Sequence, residues 1–423
     1  MLNKQRKKQA LACLISQPVY LYSFQTTRNQ LKLVFPTQQY QLFDTKKLPF
    51  RFNYRVDMLD RLNLLKAGSL CSLLIQKLLC NKTKINIKNQ FRLGTAISSR
   101  HNYFDKVKPE CVATLTGHNN SILSVAFHPT EPLMVTSSRN NSVKLWHINY
   151  TRTSAECVAL LKGHSHYINS VVFHPSEPLI VTGSYDKTAK LWHMNPERKS
   201  VKCVATLDGH SFFVNSVAFH PTEPLIVTGS SDCTAKLWRI NSACTAAECV
   251  VSLEEHGFSV VSVAFHPTEP MIVTGSRDNT AKLWLMNPER TSVKCVMTLD
   301  RHTESVNSVA FHPTEPLIAT SSADKTVKLW RMNYERMVAE CVGTLVGHKY
   351  SVLYVVFHNT EPLIATGSDD KTVKLWHMNT EHTAAECVAT LEGHSNSVLT
   401  VALHPTEPLI ATVSHDKTIK LWK

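Results

Sequence analysis

No run of 18 or more apolar residues occurs in the 423-residue chain; the longest candidates are "ALACLIS" near the start and the leucine-rich run from Leu70 to Cys80. A membrane-spanning helix needs such a run, so the chain reads as soluble, with no membrane partner. A glycine-rich phosphate loop, a Cys-x-x-Cys pair and a His-Glu-x-x-His run are also missing, which removes the short motifs of nucleotide, redox and zinc-hydrolase chemistry. Acids are scarce in one region only. Residues 1 to 110 carry 20 Lys or Arg against Asp44, Asp57, Asp60, Asp105 and Glu110, whereas residues 111 to 423 carry 26 against 28 acids. The formal net charge of +13 therefore belongs to the first quarter, at +15, and the remainder stands at −2.

That remainder is periodic. All 7 tryptophans (Trp146, Trp192, Trp238, Trp284, Trp330, Trp376, Trp422) lie 46 residues apart, and so do His118, His164, His210, His256, His302, His348 and His394. A fixed period of roughly this size marks a repeat architecture. Seven of the 12 cysteines (Cys111, Cys157, Cys203, Cys249, Cys295, Cys341, Cys387) keep the same interval. Standing a whole unit apart, they cannot pair or share a metal without bending the array; they are expected to be small buried hydrophobes in a reducing compartment. Within the third unit, "CVATL" (203 to 207), "VNSVAFH" (214 to 220), "PLIVTGS" (224 to 230) and "TAKLWRI" (234 to 240) are short runs rich in Val, Ile, Thr and aromatics, bounded by Gly, Pro, Asp or Asn. That is a strand signature, and none is long enough for a helix. The two prolines of 220 to 224 force a turn, and Asp232 caps a tighter one. Each unit is thus expected to form a four-stranded antiparallel meander. "PLIVTGS" and "SVAF" are apolar almost throughout, so both faces of each small sheet need cover, which radial packing of seven sheets supplies.

On these residues the chain resembles the WD-repeat β-propeller family. The resemblance covers residues 106 to 423 and rests on seven Gly-His-like dipeptides, each followed 28 residues later by the repeat tryptophan; the Asp of the family's Trp-Asp pair is replaced by His, Arg, Leu or Lys. It implies an all-β fold, a seven-bladed β-propeller of four-stranded antiparallel blades over 105–423, preceded by a basic, largely non-repeat N-terminal extension over 1–104. It also implies that Cys111 to Leu115 pairs beside Thr418 to Trp422 and closes the ring. In the family a histidine, a Ser or Thr, an Asp and the Trp indole form a hydrogen-bonded structural relay in each blade. Carried over, these are His118, Ser138, Asn140 and Trp146; His164, Ser184, Asp186 and Trp192; His210, Ser230, Asp232 and Trp238; His256, Ser276, Asp278 and Trp284; His302, Ser322, Asp324 and Trp330; His348, Ser368, Asp370 and Trp376; and His394, Ser414, Asp416 and Trp422. Asn140 departs from the pattern, and Glu255 and Arg301 stand where other units have Gly. The first, fourth and fifth units are therefore expected to be looser.

A recurring His, Ser and Asp also has the composition of a hydrolase triad. An activated nucleophile needs one distinct pocket, however, and sevenfold repetition beside a Trp reads as structural cement. A second set of histidines (His128, His174, His220, His266, His312, His358, His404) precedes the proline turns and is expected to cap them rather than hold an anion or metal. No catalytic residue, metal ligand or cofactor is expected, and the chain reads as non-enzymatic.

Function is then sought where the units differ. Tyr167, Phe212, Phe213 and Phe258 follow the repeat histidines, and Tyr185 and Arg277 precede the turn Asp; together they have the composition of interface anchors. They are expected to bind a protein or peptide segment, which makes the propeller a monomeric, cytoplasmic scaffold for protein complex assembly. In the basic extension, Met58, Leu62, Leu65, Leu70, Leu73 and Leu78 fall at helical spacing over 56–80. Tyr20, Tyr22, Phe24 and Phe35 lie among Lys and Arg there, so an organelle leader, a disordered stretch and an RNA-contacting arm all remain open. The last makes an RNA- or ribosome-associated assembly factor the alternative function.

Overall fold

The computed structural model describes residues 109–150 and 154–423, together with the backbone of three short strands nearer the start. The chain divides into two compact units, 1–90 and 91–423. In the first, Phe24–Thr27, Gln30–Val34 and Tyr40–Asp44 form a three-stranded antiparallel sheet. The helix expected over 56–80 lies outside the described residues.

In the second unit the short β-branched runs pair into seven four-stranded antiparallel sheets. Blades are numbered here by their first strands: Ile122–Phe127, Ile168–Phe173, Val214–Phe219, Val260–Phe265, Val306–Phe311, Val352–Phe357 and Val398–Leu403. These strands adjoin one another all the way round, blade seven against blade one included, so the sheets form a closed seven-bladed propeller. Blade two continues through Leu179–Ser184 and Ala189–Met194 to an outermost strand, Val201–Leu207. That outermost strand is the "CVATL" run of the third sequence unit. The meander is therefore offset from the repeat by one strand, and the expectation of one meander per unit is corrected accordingly. In blade seven the outermost place is taken by Cys111–Leu115, paired Ile419↔Leu115, Leu421↔Ala113 and Trp422↔Cys111. Glu110 and Lys423 extend this pairing with two backbone bonds of 3.0 Å.

Burial is greatest at the second strand. Every residue of the second strand is buried in all seven blades, because each such strand has a neighbouring blade on both faces. The core lies between blades rather than within them. Val181, Leu191 and Leu207 of blade two pack with Val214, Val217 and Phe219 of blade three, and Val413, Ile419 and Leu421 of blade seven pack with Ile122 and Val125 of blade one. Serines on the first strands stitch the junctions: Ser124 Oγ accepts the Val171 N–H at 3.3 Å and Ser170 Oγ that of Val217 at 3.3 Å. Fit at these junctions is close. A Cβ at Gly229 would stand 2.8 Å from Cγ1 of both Val260 and Val263.

The regularly spaced cysteines correct their expectation. They lie on the outermost strands, opposite the repeat tryptophans, with Cys111, Cys157, Cys249 and Cys387 exposed and Cys203, Cys295 and Cys341 half-buried. An outermost strand has a sheet neighbour on one side only, so its residues reach solvent.

Candidate partner-binding face

Antiparallel order puts the loop after each repeat histidine and the turn holding each Asp at the same end of a blade, and the His-Pro turns at the other. At the first end, blade two shows the relay. Trp192 Nε1 donates to Thr182 Oγ1 (2.9 Å), His164 Nε2 lies 2.7 Å from the same oxygen, and His164 Nδ1 lies 2.7 Å from Asp186 Oδ2. A carboxylate only accepts, so Nδ1 carries the proton and Nε2 receives the threonine hydroxyl. The chain of bonds thus runs one way, from indole to carboxylate. Burial pushes the Asp186 carboxyl up, but its bonds from His164, Thr188 and the Ser165 N–H together outweigh that and hold it well below the ordinary range.

The hydroxyl in the relay is the threonine two residues before the expected serine. Thr136, Thr182, Thr228, Thr274, Thr320, Thr366 and Thr412 accept the indole N–H in all seven blades. The relay place expected for Ser138, Ser184, Ser230, Ser276, Ser322, Ser368 and Ser414 is corrected: Ser138 donates instead to the backbone carbonyl of Ser121, three after the repeat histidine, at 2.9 Å, and the other six donate to that of the residue two after it. In blades two, three, four and six that residue is His166, Phe212, Phe258 or Tyr350, so the serine anchors the loop that presents a ring.

Five further relays match blade two. His210, His256, His302, His348 and His394 meet Asp232, Asp278, Asp324, Asp370 and Asp416 at 2.7–2.8 Å. In the fourth and fifth blades, which carry Glu255 and Arg301 in place of Gly, the bond forms at 2.7 Å all the same, since the histidine and not the residue before it makes it. Blade one is different. Asn140 Oδ1 accepts from Ser142, leaving His118 Nδ1 buried without a partner. Burial, helped by Lys144 and only partly opposed by the nearby Asn140 side chain, lowers the His118 pKa to about 4.

Four of the sequence-predicted aromatics come together across blades two and three. Tyr185 stacks on Phe213 with centroids 4.1 Å apart and planes at 19°; Tyr167 stands 5.7 Å from Tyr185, and Phe212 meets Phe213 edge-on at 5.2 Å. His166 adds a near-parallel ring 5.6 Å from Tyr185. The loops bearing them are fixed by backbone: Tyr185 N–H donates to the Tyr167 carbonyl and Ser231 N–H to that of Phe213, both at 2.8 Å. Tyr167, Tyr185 and Phe213 are half-buried, while Phe212 is 50% and Phe258 64% exposed. Phe258 and Arg277 belong to blade four and make no ring contact with this cluster.

Two cations finish the row. Arg139 Cζ lies 5.8 Å from the Tyr167 ring centre and Lys187 Nζ 5.8 Å from that of Phe212. Lys187 escaped the sequence reading because it follows the turn Asp, in a left-handed conformation with φ 73°.

At the opposite end the second histidine set caps its turns. His128 Nδ1 accepts the N–H groups of Thr130 and Glu131 at 3.3 and 3.0 Å, and the pattern recurs at His174, His220, His266, His312, His358 and His404. Arg198 and Arg290 reach from one blade to the previous blade's turn, pairing with Glu131 and Glu223.

The chain is similar to known proteins in two respects. A family model described as WD domain, G-beta repeat matches residues 109–147, 155–193, 201–239, 247–284, 293–331, 339–377 and 385–423. A striatin homolog of Dictyostelium discoideum is 40% identical over 37 residues, which is 9% of this chain and 4% of that relative. The chain therefore spans a small fraction of that protein's length.

Proposed function

The chain belongs to the WD domain, G-beta repeat family, and from that premise we propose that its propeller is a non-catalytic scaffold capturing a protein or peptide segment on the face that carries Tyr167, Tyr185, Phe212 and Phe213. Propellers of this family are typically protein-interaction scaffolds. The observation that carries the placement is the contiguous row of four rings, with Phe212 half exposed, on loops pinned by backbone bonds. Rings held in place lose little freedom on binding, and aromatic residues dominate interface energetics. The relay supports the non-catalytic half of the reading. Its threonine hydroxyl is bonded to the indole and is fully buried in all seven blades, so no substrate can reach it as it would a nucleophile in an open pocket.

The experiment replaces Phe212 and Phe213 with alanine in the full chain and compares what wild type and variant retain on affinity purification. Partners held by the wild type are expected to be lost from the variant while its unfolding temperature stays within a few degrees. Retention of the same partners by both proteins would refute the placement.

A further inference from the structure

Resting on that partner surface, we propose that the segment it takes is acidic, with a carboxylate on each side of an apolar anchor. The ring row ends in a cation at both sides, Arg139 beyond Tyr167 and Lys187 beyond Phe212. Both reach solvent, and among the described residues neither is paired with a carboxylate. The turn acids of blades two and three are spent. Asp186 Oδ2 accepts from His164 and the Ser165 N–H, and its Oδ1 accepts from Thr188 twice; Asp232 is bonded in the same way to His210, Ser211 and Thr234. A cation resting on a ring face has its outer side free for a carboxylate, and such charge-assisted contacts are directional. The arrangement is local. Lysines equivalent to Lys187 recur as Lys325 and Lys371 in blades five and six, but at the positions equivalent to Phe212 and Arg139 those blades carry Glu304 and Asp369, so a row of rings with a cation at each end belongs to blades one to three.

Single-stranded RNA fits this row less well. Base stacking needs open ring faces, yet Tyr185 already stacks against Phe213 and His166, and Lys187 stands over Phe212. Residues 111–423 also carry a net charge of −2, which disfavours a phosphodiester backbone. An extended segment crossing the row needs on the order of five residues.

The test is selection of random peptides of about seven residues on the immobilised full chain. Retained peptides are expected to hold Asp or Glu on both sides of a Phe, Leu or Trp. The best of them, synthesised, should bind about tenfold more weakly to Arg139→Glu or to Lys187→Glu, and more weakly still with both or in high salt. These variants keep the basic N-terminal quarter, so they separate the rim from non-specific attraction to that arm. Peptides lacking acids, lost from the Phe212→Ala, Phe213→Ala protein but indifferent to the charge reversals, would overturn the acidic reading and leave the surface standing. Peptides indifferent to both sets would overturn both. Tighter binding of a polyuridine oligonucleotide than of any selected peptide, abolished by the charge reversals, would overturn the proposal in favour of RNA.

Discussion

At the scale of single residues, each blade rests on one directional chain of bonds, and blade one shows what its last link contributes. His118 keeps its bond to Thr136 at 2.9 Å but has no acceptor at Nδ1. Asn140→Asp would restore the acceptor already present at Asp186, with one carboxylate oxygen free for His118 while the other serves Ser142. A buried donor that gains a charged partner contributes about 1–2 kcal/mol. Chemical denaturation should therefore show the variant to be more stable by about that amount, and an unchanged or lowered midpoint would count against the relay as drawn. The choice of Thr182 over Ser184 was not legible from spacing. With a side-chain period of two, both hydroxyls fall on the same face of the strand, and only the pairing register with the tryptophan strand brings the threonine to the indole. The ring-bearing residues were legible as departures from the repeat, whereas Lys187 was hidden in the turn chemistry next to them.

At the scale of strands, the non-alternating run of the second strand foretold cover on both faces, and that cover is present in every blade. What the run could not reveal is how tightly the faces meet. At Gly229 there is no room for another carbon, so Gly229→Val forces Val260 and Val263 aside and is expected to cost about 1–3 kcal/mol by thermal or chemical unfolding. Gly257→Ala is the control, since its added carbon would meet nothing closer than 4.0 Å. Equal stability of the two variants would mean that the blades slide apart freely. Fit is set junction by junction: blade seven holds Val413 at the position equivalent to Gly229, and blades one and five hold Ser137 and Ser321, whose buried hydroxyls lack partners. The cysteine column was misread for a related reason. Composition marked it as a strand, but only the offset between repeat and blade makes that strand the outermost one.

At the scale of the whole molecule, the seven cap histidines tie stability to acidity. Burial lowers His266, His312 and His404 to about 4, with His382 and His358 adding to the effect at the latter two. The unfolded chain binds these protons near 6.5, so between those limits it holds more protons than the folded ring and stability rises with pH. The contribution is complete above pH 6.5 and is lost as pH falls toward 4, because a protonated ring can no longer accept the two N–H groups of its turn. Unfolding temperature should thus drop steadily from pH 7 to pH 4.5; a flat profile would refute the assignment. The closing strand pair, implied by the family resemblance, is present in the structure.

That pair also decides how the propeller answers a pull. Glu110 and Lys423 face each other at one end of two antiparallel strands, so tension applied through these two residues loads the rungs singly, as in a zip fastener. Traction through these two residues would therefore open the hoop at blade seven.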